Sequence, residues 1–288
     1  MAVQVNWGAL LLRVLLYCSI TAVIFSFAFF YLYSHPSRYH SPGNPASLNL
    51  QFEEVSFETS DKVPLKGWFI KNETSDAVVI ALHGYPMDKG NILGMVSFLA
   101  ADFNLLLFDF RAMGESGGFF STAGKKEQLD VDGAVAYLKA RGFKKIGLYG
   151  FSMGAATALL SKNPDIKAKA VDSPYENPAE ILHSAFAGFG LLKKPLVFSM
   201  NVWNILLSGF SIYGLSAAES VKDSKTPTLI FHGGKDFTVP SGHSAKIKAA
   251  NPAIRLILIP EADHGEASFY GGVEYEKEIG ELFKKNLK

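Results

Sequence analysis

The chain has 288 residues, of which 48% are hydrophobic and 19% charged, so it is long and apolar enough to bury a sizeable core. Its 28 Lys and Arg residues nearly balance its 27 Asp and Glu residues, which gives no reason to expect a nucleic acid or another polyanion as partner. The single cysteine, Cys18, excludes a disulfide within the chain and leaves the remainder without a cysteine nucleophile or metal ligand.

The N-terminal segment, residues 1–34, is predicted to be a membrane anchor. An uncharged apolar stretch covers residues 14–33, about the 20 residues that a helix needs to cross a bilayer. A cleaved signal peptide, the alternative, would have a shorter apolar region followed by a small-residue cleavage site, which SHPSRYHSPGNPAS lacks. We therefore expect a membrane protein that spans the bilayer once. Arg13 and Arg38 flank the stretch, so the positive-inside rule favours an extracytoplasmic main domain only slightly.

Residues 35–48 follow as a predicted tether, because Pro36, Pro42 and Pro45 disfavour a helix there and the composition is polar.

Residues 49–288 show an alternation of strands and helices. Two runs with period-two character, NLQFEEVSFE and VPLKGWFIK, predict an antiparallel opening pair. Later apolar runs suit strands buried on both faces: AVVIALHG, NLLLFDF, KKIGLYG, IKAKAVD, TPTLIFHG and AIRLILIP. Helices are expected around 90–101, 125–141, 153–163, 240–250 and 272–286. This order predicts an α/β domain with a mostly parallel central sheet flanked by helices, and a site at the carboxyl ends of its strands.

Ser152 is the candidate nucleophile. It lies in Gly150-Phe151-Ser152-Met153-Gly154, a G-x-S-x-G motif between a predicted strand and an Ala-rich helix. A strained turn at this point would expose the hydroxyl, and the flanking glycines would let strand and helix approach each other.

A serine hydroxyl needs a base, and the base needs a group that orients it. Of the seven histidines, His264 alone follows a strand beyond the nucleophile with an acid candidate in between. Asp236, just past a strand end in FHGGKDFTVP, is the favoured acid. Asp172 and Asp263 remain alternatives, although Asp263 adjoins the histidine and is less well placed for a side-chain contact.

The backbone N–H groups of Met153 and Tyr85 are the candidates for binding an oxyanion. Met153 follows the nucleophile directly, and Tyr85 follows His83-Gly84 after a predicted strand.

The segments HGYP, DFRAMGESGG, GFSMG, HGGKDFTVP and ADHG together resemble the α/β-hydrolase superfamily, over residues 49–288. The resemblance is greatest to monoacylglycerol lipases, lysophospholipase-like enzymes and single-pass membrane-anchored α/β hydrolases. It implies the α/β-hydrolase fold, the triad order Ser, Asp, His, and ester or thioester cleavage through an acyl-enzyme. One departure lies in D-x-R-G-x-G-x-S, where Ala112 replaces a glycine; we interpret it as a tolerated change in a structural turn.

A long insert follows Asp172, which by the resemblance ends the sixth strand of the sheet. The resemblance implies a helical cap here, at about 175–217, and Pro195 is expected to separate two helices. Its apolar surface predicts an acyl-binding or lipid-facing cap, with candidate substrate-binding residues Phe186, Phe189, Phe198 and Trp203. The alternative is that these residues pack on the core and on one another. A second membrane span is not expected, because Lys193, Lys194 and Pro195 split the run.

The predicted function is that of a membrane-anchored serine hydrolase for acyl or lipid esters, with Ser152, Asp236 and His264 as catalytic triad. A thioesterase or a peptidase on the same fold is the nearest alternative, and a non-catalytic, membrane-tethered binding protein is the alternative from another class. No motif suggests a cofactor or a metal ion, since His83, His232 and His264 lack the spacing of a zinc site.

Overall fold

The computed structural model describes residues 6–287. Within them, eight strands form one sheet: β1 (Phe52–Glu58), β2 (Pro64–Ile70), β3 (Ala77–Leu82), β4 (Asn104–Phe108), β5 (Lys145–Phe151), β6 (Ile166–Asp172), β7 (Thr228–Gly233) and β8 (Arg255–Ile259). The same residues form nine α-helices: α1 (Trp7–Ser34), α2 (Lys89–Val96), α3 (Glu127–Ala140), α4 (Met153–Leu160), α5 (Pro178–Ala185), α6 (Lys193–Ser208), α7 (Ala217–Val221), α8 (Gly242–Ala250) and α9 (Ala267–Asn286). Short 3₁₀ helices occur at Pro45–Leu48, Ser97–Ala101, Ala187–Leu192 and Ile212–Gly214.

The sheet has the strand order β1-β2-β4-β3-β5-β6-β7-β8. β1 and β2 pair antiparallel, β2 pairs antiparallel with β4, and all pairs from β4 to β8 are parallel. The mostly parallel sheet with an antiparallel opening pair is thus confirmed. Its topology brings the ends of β3, β5, β6, β7 and β8 to one edge, where the candidate site residues lie.

Two apolar layers cover the sheet, which explains the uninterrupted apolar runs. Every residue of β3, β4 and β7 is buried. One layer contains Val131 of α3, Ala155 of α4 and Ile247 of α8. The other contains Ile92 of α2 and Phe283 of α9. Helices therefore cover both faces of the sheet.

The insert between β6 and β7 forms a helical cap, as the resemblance implied. It comprises α5, the 3₁₀ helix Ala187–Leu192, α6 and the 3₁₀ helix Ile212–Gly214, and leads into α7. The axes of Pro178–Ala185 and Ala187–Ser208 differ by 113°. Pro195 lies in the first turn of α6, where a proline is tolerated. The two expected helices are present, but the prediction that Pro195 separates them is wrong, because the bend lies at Phe186, before the 3₁₀ helix Ala187–Leu192.

The apolar N-terminal segment is one continuous helix, α1, that begins at Trp7. The Asn6 side chain caps it by accepting a hydrogen bond from the Ala9 N–H at 3.1 Å. Its 28 residues correspond to a length of about 42 Å. Among residues 6–287, it alone is long and apolar enough to cross a bilayer as a single helix.

The segment after α1 lies against the domain. It has no helix before Pro45, as its prolines predicted. The Arg38 guanidinium donates to the carbonyl oxygens of Gly114, Ser116 and Gly118. The Ser41 N–H donates to Asp88 Oδ2 at 2.7 Å. The predicted tether is therefore held at Arg38 and at Ser41, which composition alone did not indicate.

Candidate active site

Ser152 lies on a sharp turn between β5 and α4. Its backbone angles, φ 52° and ψ −113°, are unfavourable for a residue with a Cβ. The turn is held because the Ser152 N–H donates to Asp172 O at 2.9 Å. Gly154 is required here, since a Cβ at this position would press on the carbonyl oxygens of Leu82 and His83. The close approach of α4 to β3 thus presents the hydroxyl at the strand ends.

His264 and Asp236 complete a linear set of contacts with Ser152. His264 Nε2 lies 3.0 Å from Ser152 Oγ, and His264 Nδ1 lies 2.7 Å from Asp236 Oδ2. The imidazole reaches both partners because its loop follows β8, while Asp236 follows the neighbouring β7. The structure therefore brings together the three residues that were predicted to act together.

The surroundings of Asp236 keep its carboxyl ionised. Burial alone would raise the pKa of Asp236. Hydrogen bonds from the imidazoles of His232 and His264 and from the Val239 N–H outweigh burial and lower this pKa well below its usual range. The Val239 N–H reaches Oδ1 at 2.7 Å, which leaves Oδ2 for His264.

His232 is a positioning residue that sequence reasoning did not assign. It is fully buried; its Nε2–H donates to Val239 O at 2.7 Å, and its Nδ1 accepts from Ser244 Oγ at 2.6 Å. Nε2 also lies 3.4 Å from Asp236 Oδ2. His232 thus holds the turn that carries Asp236. In the sequence, the signal for this role was a polar residue near the end of an apolar strand.

The other two acid candidates are engaged elsewhere. Asp172 is buried, and it accepts hydrogen bonds from Tyr275 Oη and Ser173 Oγ, each at 3.0 Å. Burial raises the pKa of Asp172 to about 6. Asp263 Oδ1 accepts from the backbone N–H groups of His264 at 2.7 Å and Phe237 at 3.2 Å. Asp236, rather than either of these, contacts the imidazole.

Met153 and Tyr85, which carry the two candidate oxyanion donors, both line the cavity that contains Ser152. Met153 is the first residue of α4, so its N–H has no carbonyl of a preceding helical turn to bind. Tyr85 follows β3, and it borders the same cavity as Ser152. His83 shapes the loop that carries Tyr85. Its Nδ1–H donates to Gly84 O at 2.7 Å, and its Nε2 accepts from the Phe110 N–H at 2.9 Å. Burial lowers the pKa of His83, which keeps this ring neutral.

A largely apolar cavity of about 360 Å³ opens above Ser152 and His264. Its size is at the lower end of the usual range for small-molecule sites, about 300–1,000 Å³. The cap supplies much of the wall: Ile181, Leu182, Ala185, Met200, Asn204 and Ile212. Helix α1 contributes three further lining residues: Phe30, Tyr33 and Ser34.

None of the four aromatic residues proposed for substrate binding lines this cavity. Phe186 and Phe189 pack edge-on against Phe29, with ring centroids 5.1 and 5.7 Å away. Trp203 packs against Phe27 at 5.0 Å. Phe198 is 61% exposed. These residues face α1 or the outside, and the smaller aliphatic residues of the cap face Ser152.

Glu127 organises another wall of the cavity, and it too was missed in the sequence. The buried carboxylate accepts from Ser121 Oγ, the Thr122 N–H and the Gly124 N–H at 2.8–2.9 Å. This loop lies beside Met153, and Ser121 and Thr122 line the cavity.

Comparison with known proteins agrees with this architecture. A family model with the description "Alpha/beta hydrolase family" matches residues 79–271, about two thirds of the chain. The chain belongs to the alpha/beta hydrolase family.

Relatives of this α/β hydrolase occur in bacteria, fungi and plants. The uncharacterized protein YfhR of Escherichia coli strain K12 is 30% identical over 229 residues, which cover 75% of this chain and 74% of YfhR. The uncharacterized membrane protein YNL320W of Saccharomyces cerevisiae is 27% identical, with 79% and 78% covered. Among solved structures, the esterase Pf2001 of Pyrococcus furiosus is 29% identical, with a TM-score of 0.75 over 88% of this chain and 98% of the esterase.

Proposed function

We propose that this α/β hydrolase is a membrane-anchored serine hydrolase that cleaves carboxylic esters of acyl or lipid substrates. The observation that carries the proposal is the set of contacts Ser152–His264–Asp236 at the base of an apolar cavity. The similarity to a solved esterase supports the same reaction class. A cavity with a largely apolar lining suits an acyl chain better than a charged peptide terminus.

The reaction would begin when Ser152 Oγ attacks the acyl carbon. His264 Nε2 accepts the hydroxyl proton as the bond forms, and the Asp236 carboxylate stabilises the imidazolium. The N–H groups of Met153 and Tyr85 donate to the oxyanion of the tetrahedral intermediate. His264 then gives its proton to the leaving alcohol, and an acyl-enzyme remains. Water attacks this ester with His264 as base again, which releases the acid and restores Ser152.

The membrane association rests on two neighbouring apolar surfaces. Most of α1 is exposed apolar side chain, such as Leu11, Leu12 and Ile24. On the cap, further large apolar side chains are exposed: Leu191, Leu192, Phe198, Ile205, Leu206 and Leu207. The cap packs on the last turns of α1, so both surfaces would meet one lipid layer. Exposed apolar patches of this kind mark membrane or protein contacts. That a yeast relative is described as a membrane protein agrees with this proposal.

Hydrolysis of a p-nitrophenyl ester series by the detergent-solubilised protein tests the function. We expect wild type to turn over the esters, and Ser152→Ala to lose on the order of 10⁴-fold or more in kcat. Ser173→Ala is the matched control, because Ser173 also follows a strand and has φ 52°, but it contacts Asp172 rather than His264; it should retain activity within about threefold.

Parallel assays with an acyl thioester and a peptide anilide separate the related reaction types. Activity confined to the thioester or to the anilide would replace ester cleavage by that reaction. If no substrate is turned over, or if Ser152→Ala equals wild type, the serine hydrolase proposal is withdrawn, and a membrane-tethered binding protein becomes the better explanation.

A further inference from the structure

One side of α1 faces the protein at its C-terminal end. Its buried residues are Ser26, Phe30 and Ser34, which are spaced four apart and therefore form a single stripe. Phe30 is only 5% exposed, and it packs with Phe186 and Met200 of the cap. Phe29 beside it is half-buried against Phe186 and Phe189 of the cap, and the side chains of residues 7–25 are exposed. The stripe marks the part of α1 that belongs to the catalytic body.

The same part of α1 reaches the cavity. Phe30, Tyr33 and Ser34 line it together with Ser152 and His264. Phe30 faces the cap residues Met200 and Ile212, so a linear acyl group that extends between the cap and the sheet would run past its ring. The helix is therefore a wall of the cavity as well as a candidate membrane span.

Hydrogen bonds hold this wall in place at three sites. The Ser121 N–H donates to Ser34 O at 2.7 Å, and Tyr85 Oη donates to Tyr33 O at 3.0 Å. Trp203 Nε1 of the cap donates to Ser26 Oγ at 3.2 Å. These bonds join α1 to two loops of the cavity and to the cap, so its position relative to Ser152 is fixed.

We propose that the last two turns of α1 form part of the acyl-binding site, and that the Phe30 side chain sets the longest acyl chain accepted. The proposal rests on the ester-hydrolase function proposed above. A smaller side chain at residue 30 opens space for a longer chain, and a larger one closes it. In an apolar pocket, a change of one or a few methylene groups is worth about 10–200-fold in specificity.

The test compares Phe30→Ala and Phe30→Trp with Phe25→Ala and Phe25→Trp in the full-length protein in detergent. Phe25 is the matched control because it lies on the same helix and is 58% exposed. The readout is the ratio of kcat/KM for p-nitrophenyl laurate to kcat/KM for p-nitrophenyl butyrate. Both esters are assayed in one preparation, so a loss of folded protein cancels from the ratio.

We expect Phe30→Trp to lower this ratio about tenfold and Phe30→Ala to raise it, while both Phe25 variants keep the wild-type ratio. If the wild-type protein is active and the Phe30 variants keep its ratio, or if Phe25 variants change it equally, α1 is not a specificity wall, and only this inference falls. If wild type cleaves no ester at all, the proposed function fails and the inference fails with it.

Discussion

Replacement of Asp236 by asparagine changes one atom and reverses the hydrogen bonding of His264. The Val239 N–H donates to Asp236 Oδ1 at 2.7 Å, so the asparagine oxygen will take that position. Its NH₂ group must then face His264 Nδ1, which lies 2.7 Å from Oδ2 in the wild type. A ring that accepts at Nδ1 carries its proton on Nε2. That proton points at Ser152 Oγ, and the ring cannot receive the serine proton.

The expected loss follows from the wrong tautomer and the missing charge. In a serine-histidine-aspartate site, this substitution lowers kcat by on the order of 10⁴-fold. That factor corresponds to about 5.4 kcal/mol of transition-state stabilisation. Ground-state binding should change little, because Asp236 is buried away from the apolar cavity wall. KM for p-nitrophenyl butyrate should therefore stay within about threefold of wild type, while kcat falls.

Two aspartate variants serve as controls for this assay. Asp172→Asn and Asp263→Asn should keep kcat within about tenfold of wild type, since neither carboxylate contacts the His264 ring. A thermal unfolding scan shows whether each variant is folded. An Asp236→Asn protein that is folded and within tenfold of wild type would refute the reasoning, and a large loss in one of the controls would identify the true acid.

Two further predictions concern stability. Burial raises the pKa of Asp172 to about 6, above the value of about 3.9 expected in the unfolded chain, so the folded protein loses stability as pH rises through this window. Asp172→Asn cannot ionise; thermal unfolding should show it about 3 kcal/mol more stable than wild type at pH 8 and nearly equal at pH 4, whereas an equal difference at both values would show that ionisation is not the cause. Ala112 has φ 61°, a left-handed conformation that glycine adopts without strain, so Ala112→Gly should raise the free energy of unfolding by about 0.5 kcal/mol, and a decrease would mean that the buried methyl group contributes more by packing.

The arrangement of Ser152, Asp236 and His264 was accessible from the sequence because it depends on chain order and on strand ends. Apolar runs located the strands, and parallel strands bring their carboxyl ends together whatever the details of packing. Ser152 follows β5 directly, and Asp236 and His264 lie within five residues of the ends of β7 and β8. Because each of these residues follows its strand after a short connection, its side chain stays close to the end of β5, β7 or β8. Local pattern therefore predicted a long-range contact.

The lining of the cavity was not accessible in this way. Composition shows that the cap is apolar, but the direction of each side chain depends on how α5 and α6 are rotated against their neighbours. Met200 and Asn204, four residues apart on α6, face Ser152, while Phe198 and Ile205 face outward. Because aromatic residues are large, they were the natural candidates for binding. Phe186, Phe189 and Trp203 instead pack against Phe27 and Phe29 of α1.

The contact between α1 and the cap shows why hydropathy alone misjudges such a helix. Ser26 counts against membrane insertion when each residue is scored by itself, yet its hydroxyl accepts a hydrogen bond from Trp203. Ser19, by contrast, bonds only within α1, to Leu15 O. Polar residues in apolar helices commonly face other protein segments. Ser26 lies one turn before Phe30, on the same stripe. A hydroxyl that bonds to a side chain outside its own helix thus marks the side of α1 that continues into the cavity.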